Sequence, residues 1–235
     1  QMFELDFIEH SVGMKSISND DRKFLAILKN GIHFLDGHYE MPLPFREDLP
    51  YLPNNRSMAE QRLKHLKGKL DKDETYRSQY VNFMTDMIQK GFAEKVPKDE
   101  LTCVDGHSWY IPHHGVFNPQ KPNKLRVVFD CSAKYEGQSL NDYLLQGPDL
   151  TNTLVGVLCR FRKELIAIVC DIEQMFHQFR VNYEHRNYLR FLWWENGDTN
   201  NLPSEFRMCV HLFGAASSPG CANFGMKQMA SDNET

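Results

Sequence analysis

The stretch LIAIVCDIEQMFHQFRV, residues 165–181, gives the strongest structural signal in this chain of 235 residues. Its first six residues are apolar and rich in β-branched side chains, a pattern typical of a buried strand. The apolar run ends abruptly on Asp171. A carboxylate with apolar flanks is costly to desolvate unless it meets a cation or a metal. Asp171 is therefore predicted either to belong to a functional site or to cap the turn that follows.

The composition predicts a soluble, unsecreted protein with a sizeable core. Hydrophobic residues make up 41% of the chain and aromatic residues 12%, enough for one large domain or two small ones. No run approaches the ~18 apolar residues of a membrane span, and no charged-then-apolar leader opens the chain, so no membrane partner is expected. The six cysteines lack C-x-x-C spacing, which favours buried free thiols over disulfides or a zinc site.

Apolar periodicity predicts helices and strands in alternation. The helices are expected to begin near Asp20, at Ser57 as an N-cap, after Asp73, near Asp149, Thr151 or Asn152, and at Pro219. Strands are predicted over residues 38–41, 92–96, 108–111, 125–129, 165–170, 188–194 and 206–212, and loops near Gly115 and over residues 139–147. The strand-helix-strand-strand order with an antiparallel return predicts an α+β fold. Closely spaced prolines up to Pro53 predict an extended connector over residues 1–53.

The formal net charge of -4 argues against a uniformly basic nucleic-acid-binding protein, but the basic residues are segregated. Each basic cluster is either a solvated face or a phosphate-binding surface. The clusters comprise Arg56, Arg62, Lys64, Lys67 and Lys69; Lys121, Lys124 and Arg126; and Arg160, Arg162 and Lys163.

Two further segments suggest ligand contacts. Arg126 is predicted to point outward from a strand beside a basic loop, where a guanidinium would offer paired donors to a triphosphate; an ordinary surface hairpin is the alternative. In LFGAASSPG, small residues after Phe213 would let the backbone lie close to a ligand, or would simply form a tight turn into a helix. The adjacent His113 and His114 should point to opposite faces of an extended segment and are expected to be satisfied or exposed, not metal ligands.

Three blocks of this sequence, K-L-R-V-V-F-D, D-I-E-Q-M-F-H-Q-F and L-F-G-A-A-S-S-P, resemble reverse-transcriptase motifs and follow the order of that family. Two further segments, W-Y-I-P-H-H-G-V and L-N-D-x-L-x-x-G-P-D-L, are most similar in sequence to reverse transcriptases of the BEL/Pao group of LTR retrotransposons. The resemblance covers roughly Pro50 to Met229. It implies a right-hand polymerase fold, with the fingers and the start of the palm over residues 54–164 and an incomplete palm over residues 165–235.

The resemblance also implies a role for each candidate residue. Asp171 would be the catalytic metal ligand, assisted by the Ile172 carbonyl, and Phe176 would exclude a ribose 2′-hydroxyl. The remaining roles are triphosphate binding by Arg126 with Lys121 or Lys124, a nucleotide pocket lined by Phe213 and Gly214, and template or primer contacts from Arg56, Arg62, Arg160, Arg162 and Lys163.

The implied reaction is template-directed addition of deoxynucleotides to a primer on RNA or DNA, with Mg²⁺ or Mn²⁺. Such chemistry uses two metal ions held mainly by three carboxylates. In this family, two of the three carboxylates belong to an adjacent Asp pair that follows the Phe224 helix. At that place this sequence offers only Asp232 and Glu234. Metal binding is therefore expected only when that pair is present, and this chain alone is expected to be inactive.

The resemblance further implies a polyprotein with protease, ribonuclease H and integrase units, and a cytoplasmic location, free or within virus-like particles. Two alternatives stay open. One is a non-catalytic nucleic-acid-binding or assembly module derived from a retroelement. The other is an unrelated α+β protein-interaction domain, in which Asp171 and Arg126 would lie far apart.

Overall fold

The structure, a computed structural model, describes residues 17–101, 106–118, 121–163 and 165–233. Its helices are α1 (Asn19–Gly31), α2 (Arg56–Leu70), α3 (Glu74–Gln89), α4 (Leu140–Tyr143), α5 (Leu154–Phe161) and α6 (Ser218–Asp232). The strands are β1 (His33–Leu35), β2 (His38–Met41), β3 (Ala93–Lys95), β4 (His113–Asn118), β5 (Lys121–Phe129), β6 (Phe179–Val181), β7 (Arg190–Trp193) and β8 (Ser204–Met208). Helices and small sheets are mixed along the chain, so the predicted α+β class is confirmed.

The strands form three small sheets. One sheet has the order β3-β8-β7, and both of its pairs are antiparallel. In the second sheet, β2 lies between β1 and β6 and runs parallel to β6, with Tyr39 opposite Phe179. β4 and β5 form an antiparallel hairpin. The predicted return of the strand near Phe206 onto the strand near Phe191 is confirmed by the β7-β8 pairing.

Two apolar clusters hold these elements together. The larger cluster packs α2 and α3 against the β3-β8-β7 sheet and the inner face of the β4-β5 hairpin; at its centre, Tyr80 stacks on Trp193 with ring centroids 5.3 Å apart. The smaller cluster joins α1, β2 and α6 through buried residues such as Phe24 and Cys221. Leu52, within the predicted connector, is buried in the larger cluster. The described part of the connector therefore packs against the rest of the chain.

All five predicted helices are present, but two of their N-caps differ from the prediction. Asn55, not Ser57, precedes α2, and its side chain bonds the backbone N–H and carbonyl of Tyr110 at 2.8 and 2.7 Å. Thr153 caps α5 by accepting a hydrogen bond from the Gly156 N–H at 3.2 Å. In the first case a tertiary contact takes the side chain that could have capped the helix, which local sequence rules do not anticipate.

The predicted buried strand over residues 165–170 is wrong in this structure. The segment is not part of any sheet, and Ile168 and Val169 are 85% and 82% exposed. A strand needs a neighbour to satisfy its backbone donors and acceptors, and none of the strands in the described ranges pairs with this segment. The apolar side chains of α5 beside it, including Leu154 at 72%, are also exposed.

Three smaller predictions also need correction. Residues 108–111 were predicted as a strand but contribute only an isolated bridge from Tyr110 to Arg190. The predicted loop around Gly115 contains strand β4, because its backbone pairs with β5. The predicted polar loop over residues 139–147 contains α4, which is fixed by the Ser139–Asp142 capping box and the burial of Leu140.

The cysteine prediction holds only in part. Cys131, Cys209 and Cys221 are buried free thiols, and burial raises the pKa of Cys131 to about 12. Cys159 and Cys170 are free but exposed, because they lie on α5 and in the unpaired segment. Cys103 lies outside the described residues. Across the parts of the chain that the structure describes, no helix is both long enough and apolar enough to cross a bilayer.

Two fully buried arginines, which the sequence analysis did not single out, face each other across the β7-β8 pair. Arg190 lies opposite Arg207 in the register, an arrangement that repels unless each charge is balanced. Glu205 accepts from Arg190 at 3.1 Å, and Glu94 and Glu100 accept from Arg207 at 2.7 and 2.5 Å. Burial alone would raise the pKa of Glu100, but hydrogen bonds from Tyr183, Asn187 and Arg207, together with the charge of Arg207, lower it to about 2. The interior of this sheet is therefore held by an ion-pair network as well as by apolar contacts.

Candidate functional site

An aromatic pair joins two of the segments that carry the sequence motifs. After Asp171 the chain turns through Gln174, which has a positive φ of 51°, into a short 3-10 turn, Met175–Gln178. This turn packs Phe176 partly against the smaller cluster and sets its ring 5.6 Å from the ring of Phe213. Phe213 is 68% exposed. The pair therefore forms an aromatic surface that is anchored on one side and open to solvent on the other.

Gly214 follows Phe213 and lies against the end of β5. Its φ is 123°, and a Cβ at this position would overlap the carbonyl oxygen of Phe129. Asn141 holds the same turn from the other side: its amide donates to the Gly214 carbonyl at 3.1 Å, and its carbonyl oxygen accepts from the Ala216 N–H at 2.8 Å. The small residues here were expected to let the backbone lie close to a ligand or to form a tight turn. Among the described residues, Gly214 lies close to the backbone of β5.

Asn141 is a positioning residue that the sequence analysis did not assign. It lies on α4, whose capping box the Ser139-x-x-Asp142 spacing could have indicated. That spacing predicts a helix start but says nothing about which distant turn an amide side chain will hold. Only the tertiary placement of α4 beside the Phe213 turn reveals the role of Asn141.

Strand β5 carries Arg126, the main candidate for triphosphate binding, on its outer face. The register sets His114 opposite Val128 and Val116 opposite Arg126, so these four side chains share one face of the hairpin. Arg126 is exposed as predicted, and so is Lys124. Neither makes an ion pair with another described residue. The side chain of Lys121 lies outside the described part of the structure.

His113 and His114 behave as predicted. Buried His113 accepts a hydrogen bond from the Tyr80 hydroxyl at Nδ1 (2.6 Å) and donates from Nε2 to the Leu192 carbonyl (2.9 Å). Because a carbonyl can only accept, this arrangement fixes the neutral tautomer. Burial lowers the pKa of His113 to about 4. His114, on the other face, is exposed.

Asp171 follows the unpaired apolar segment and is exposed. No group of three or more His, Cys, Asp or Glu side chains within the described ranges could hold a metal ion. The chain's own described residues therefore do not complete a metal site around Asp171. Ile172, the other candidate metal ligand, lines a cavity of about 870 Å³ together with Phe34, Tyr39 and Met229.

The candidate nucleic-acid contacts differ in exposure and in whether they already form ion pairs within the protein. Arg56 bonds Glu60 at 2.8 Å and also Glu205; although burial lowers its pKa, these hydrogen bonds raise it overall. Arg62 pairs with Asp130 at 3.2 Å but is 53% exposed. Arg160, Arg162 and Lys163 are exposed at the end of α5. The charge of Arg56 is thus largely used within the protein.

No protein-family model matches this chain, and neither does any curated protein sequence.

Proposed function

We propose that this chain provides the fingers and part of the palm of a reverse transcriptase of the BEL/Pao type, an RNA-directed DNA polymerase with a right-hand fold. The observation that carries the proposal is the convergence of separate motif segments. Phe176, from the block that begins at Asp171, contacts Phe213 from the third block. Gly214 then abuts the carbonyl of Phe129, at the end of the strand that carries Arg126.

The outer face of β5 supports a role in binding a nucleoside triphosphate. Arg126 and Lys124 are exposed and unpaired within the described residues, so their charges are available to a phosphate. A guanidinium offers paired, charge-assisted hydrogen bonds to phosphate oxygens. In the proposed function, Arg126 binds the triphosphate with Lys124 or Lys121 in support, and the Phe176–Phe213 pair contacts the sugar and base.

The exposed apolar segment over residues 165–170 also suits the proposal. Ile166 and Ile168 are 80% and 85% exposed in an extended segment, although such residues strongly favour burial. A neighbouring strand from outside the described residues would pair with the backbone N–H and carbonyl groups of this segment and bury its apolar side chains. In a reverse transcriptase that neighbour would be the hairpin that bears the adjacent Asp pair.

Polymerase activity requires further carboxylates beside Asp171 to bind the metal ions. Oxygen ligands are those that Mg²⁺ prefers, and Asp171 supplies one carboxylate. Because the described residues do not complete a site for Mg²⁺ or Mn²⁺, this observation also favours the second candidate function. That candidate is a nucleic-acid-binding or assembly module that keeps the fold without catalysis. Both candidates would bind a template with its primer, and only the polymerase would use deoxynucleoside triphosphates.

Primer extension by the product of the native transcript separates the two candidates. An RNA template with a DNA primer, deoxynucleotides and Mg²⁺ should give extended products, and Asp171→Asn should lower the rate by roughly a hundredfold or more because a metal ligand is lost. Asp149→Asn is the matched control, since Asp149 is an exposed carboxylate whose hydrogen bonds, among the described residues, come from Thr151. Extension that survives Asp171→Asn unchanged, or a native reading frame that lacks an adjacent Asp pair, would rule out the polymerase.

A further inference from the structure

A basic groove lies between α2 and the start of β4. It has a volume of about 430 Å³ and is lined by Arg62, His65, Leu66, Lys69 and the segment from Pro112 to His114. Its base is Leu66 and His113, both buried. None of the described residues that line it is acidic. Side chains able to carry positive charge therefore surround an apolar base.

The basic side chains of the groove lie on one face of α2. Arg62, His65 and Lys69 follow the i, i+3, i+7 spacing that aligns residues on a helix. His65 and Lys69 are exposed and make no ion pair within the described ranges. Arg62 is oriented by Asp130 at 3.2 Å, and Asp130 in turn accepts from the Ser132 hydroxyl at 2.7 Å. Asp130 balances the charge of Arg62, and the ammonium of Lys69 makes no ion pair with a described residue.

The groove continues onto the outer face of the β4-β5 hairpin. His114 lines the groove and lies opposite Val128, which makes Arg126 its diagonal neighbour across the hairpin. Diagonal neighbours on one sheet face are about 7–8 Å apart. The groove, which Lys69 and His114 both line, therefore adjoins the hairpin face that carries Arg126.

We propose that this α2 groove binds the phosphate backbone of a nucleic acid, with Lys69, His65 and Arg62 as contacts. Seven residues of helix rise about 10 Å, the axial rise of about three nucleotides of one strand. No Phe, Tyr or Trp side chain lines the groove within the described residues, so the proposed contact is electrostatic and independent of base sequence. The expectation that the nucleic acid is a primer–template rests on the proposed function.

Fluorescence anisotropy tests the groove with a labelled DNA duplex that carries a single-stranded overhang. Lys69→Gln should weaken binding about three- to tenfold at low salt and lower the slope of log K against log salt by about 0.9, the value for one lost phosphate contact. Lys64→Gln is the matched control: it removes the same charge from the same helix, but Lys64 does not line the groove. Neither substitution affects a buried side chain, and thermal melting verifies the fold of both.

Each outcome decides the inference. A larger loss for Lys69→Gln than for Lys64→Gln supports the groove. Equal losses, or none, overturn it in favour of diffuse surface charge, and binding of polyglutamate but not of DNA or RNA overturns it in favour of an acidic protein partner. If binding instead depends on Arg126 and not on Lys69, the groove fails while the polymerase proposal stands. If Lys69→Gln weakens binding but Asp171→Asn extends primers normally, the groove stands while the polymerase fails.

Discussion

The rings of Phe176 and Phe213 lie 5.6 Å apart, with their planes at 44°, although the two residues belong to different turns of the chain. This tilted contact is within the range of favourable aromatic pairs. Phe176 is partly buried against the smaller cluster, whereas Phe213 is largely exposed. Phe176 is therefore the fixed member of the pair, and Phe213 is the more exposed member.

Because Phe176 is fixed, its size should control which sugar fits beside it. In the proposed polymerase, Phe176→Val would open space for a 2′-hydroxyl, and we expect the ratio of ribonucleotide to deoxyribonucleotide incorporation to rise about tenfold or more. Primer extension with each nucleotide type measures this ratio. Phe161→Val, the same truncation at an exposed position on α5, should leave the ratio unchanged. An unaltered ratio in Phe176→Val would show that Phe176 does not contact the sugar.

Gly214→Ala should destabilise the turn that carries Phe213. The new Cβ would overlap the Phe129 carbonyl oxygen, and the φ of 123° is strained for alanine. We expect a loss of roughly 1–3 kcal/mol in the free energy of unfolding, measured by urea denaturation. Gly37→Ala is a matched control, because Gly37 also has a positive φ, 79°, but has nothing within 4 Å of the added Cβ. Equal losses at both positions would mean that backbone strain, and not the contact with β5, explains the glycine.

The ion pair between Arg190 and Glu205 should be costly to break from one side. Both side chains are buried, at 0% and 7% exposure, so Arg190→Met would leave Glu205 with less compensation inside the protein. A loss of about 3–5 kcal/mol is expected. Lys95→Met breaks the pair with Glu195, in which both side chains are 53% exposed, and should cost below about 1 kcal/mol. Similar losses for the two variants would contradict a structural role for the buried network.

Periodicity predicted the helices because each of α1, α2, α3 and α6 buries one face within the chain. Leu63, Leu66 and Leu70 all reach the larger cluster, as their spacing requires. Strand pairing was harder to predict, since it depends on partners that are distant in sequence. β2 pairs in parallel with β6, and no local pattern in either short strand indicates that partner.

The candidate site also depends on contacts between residues that are distant in sequence. The motifs predict candidate residues such as Arg126. The contact of Asn141 with the Phe213 turn, and the position of His65 and Lys69 in one groove, become visible only once α4, α2 and β4 are packed. The segment over residues 165–170 fails in the opposite way. Its composition indicates burial, yet Ile168 is 85% exposed, because composition records a need for a partner without supplying one.

Two buried histidines, His113 and His211, and the partly buried His177 should make the stability of the protein depend on pH. Burial lowers the pKa of His113, His177 and His211 to about 4 each, from an ordinary value of 6.5, and the charge of Lys90 adds to the effect at His177. The unfolded chain therefore takes up protons near pH 6.5, while the folded protein takes them up only near pH 4. Neutral histidines thus favour the folded state above pH 6.5, and this stability is lost as the pH falls from 6.5 towards 4.

Unfolding by urea at intervals between pH 7.5 and pH 4 measures the effect. The free energy of unfolding should fall with acidification by at most about 3 kcal/mol per histidine, since one pKa unit corresponds to about 1.4 kcal/mol. His211→Met replaces a fully buried imidazole with an apolar side chain and should reduce the proton uptake on unfolding by one near pH 5. His65→Gln removes an exposed imidazole and should leave the pH dependence as it is in the unsubstituted protein. If the two variants show the same pH dependence, burial of His211 is not the cause of the acid sensitivity.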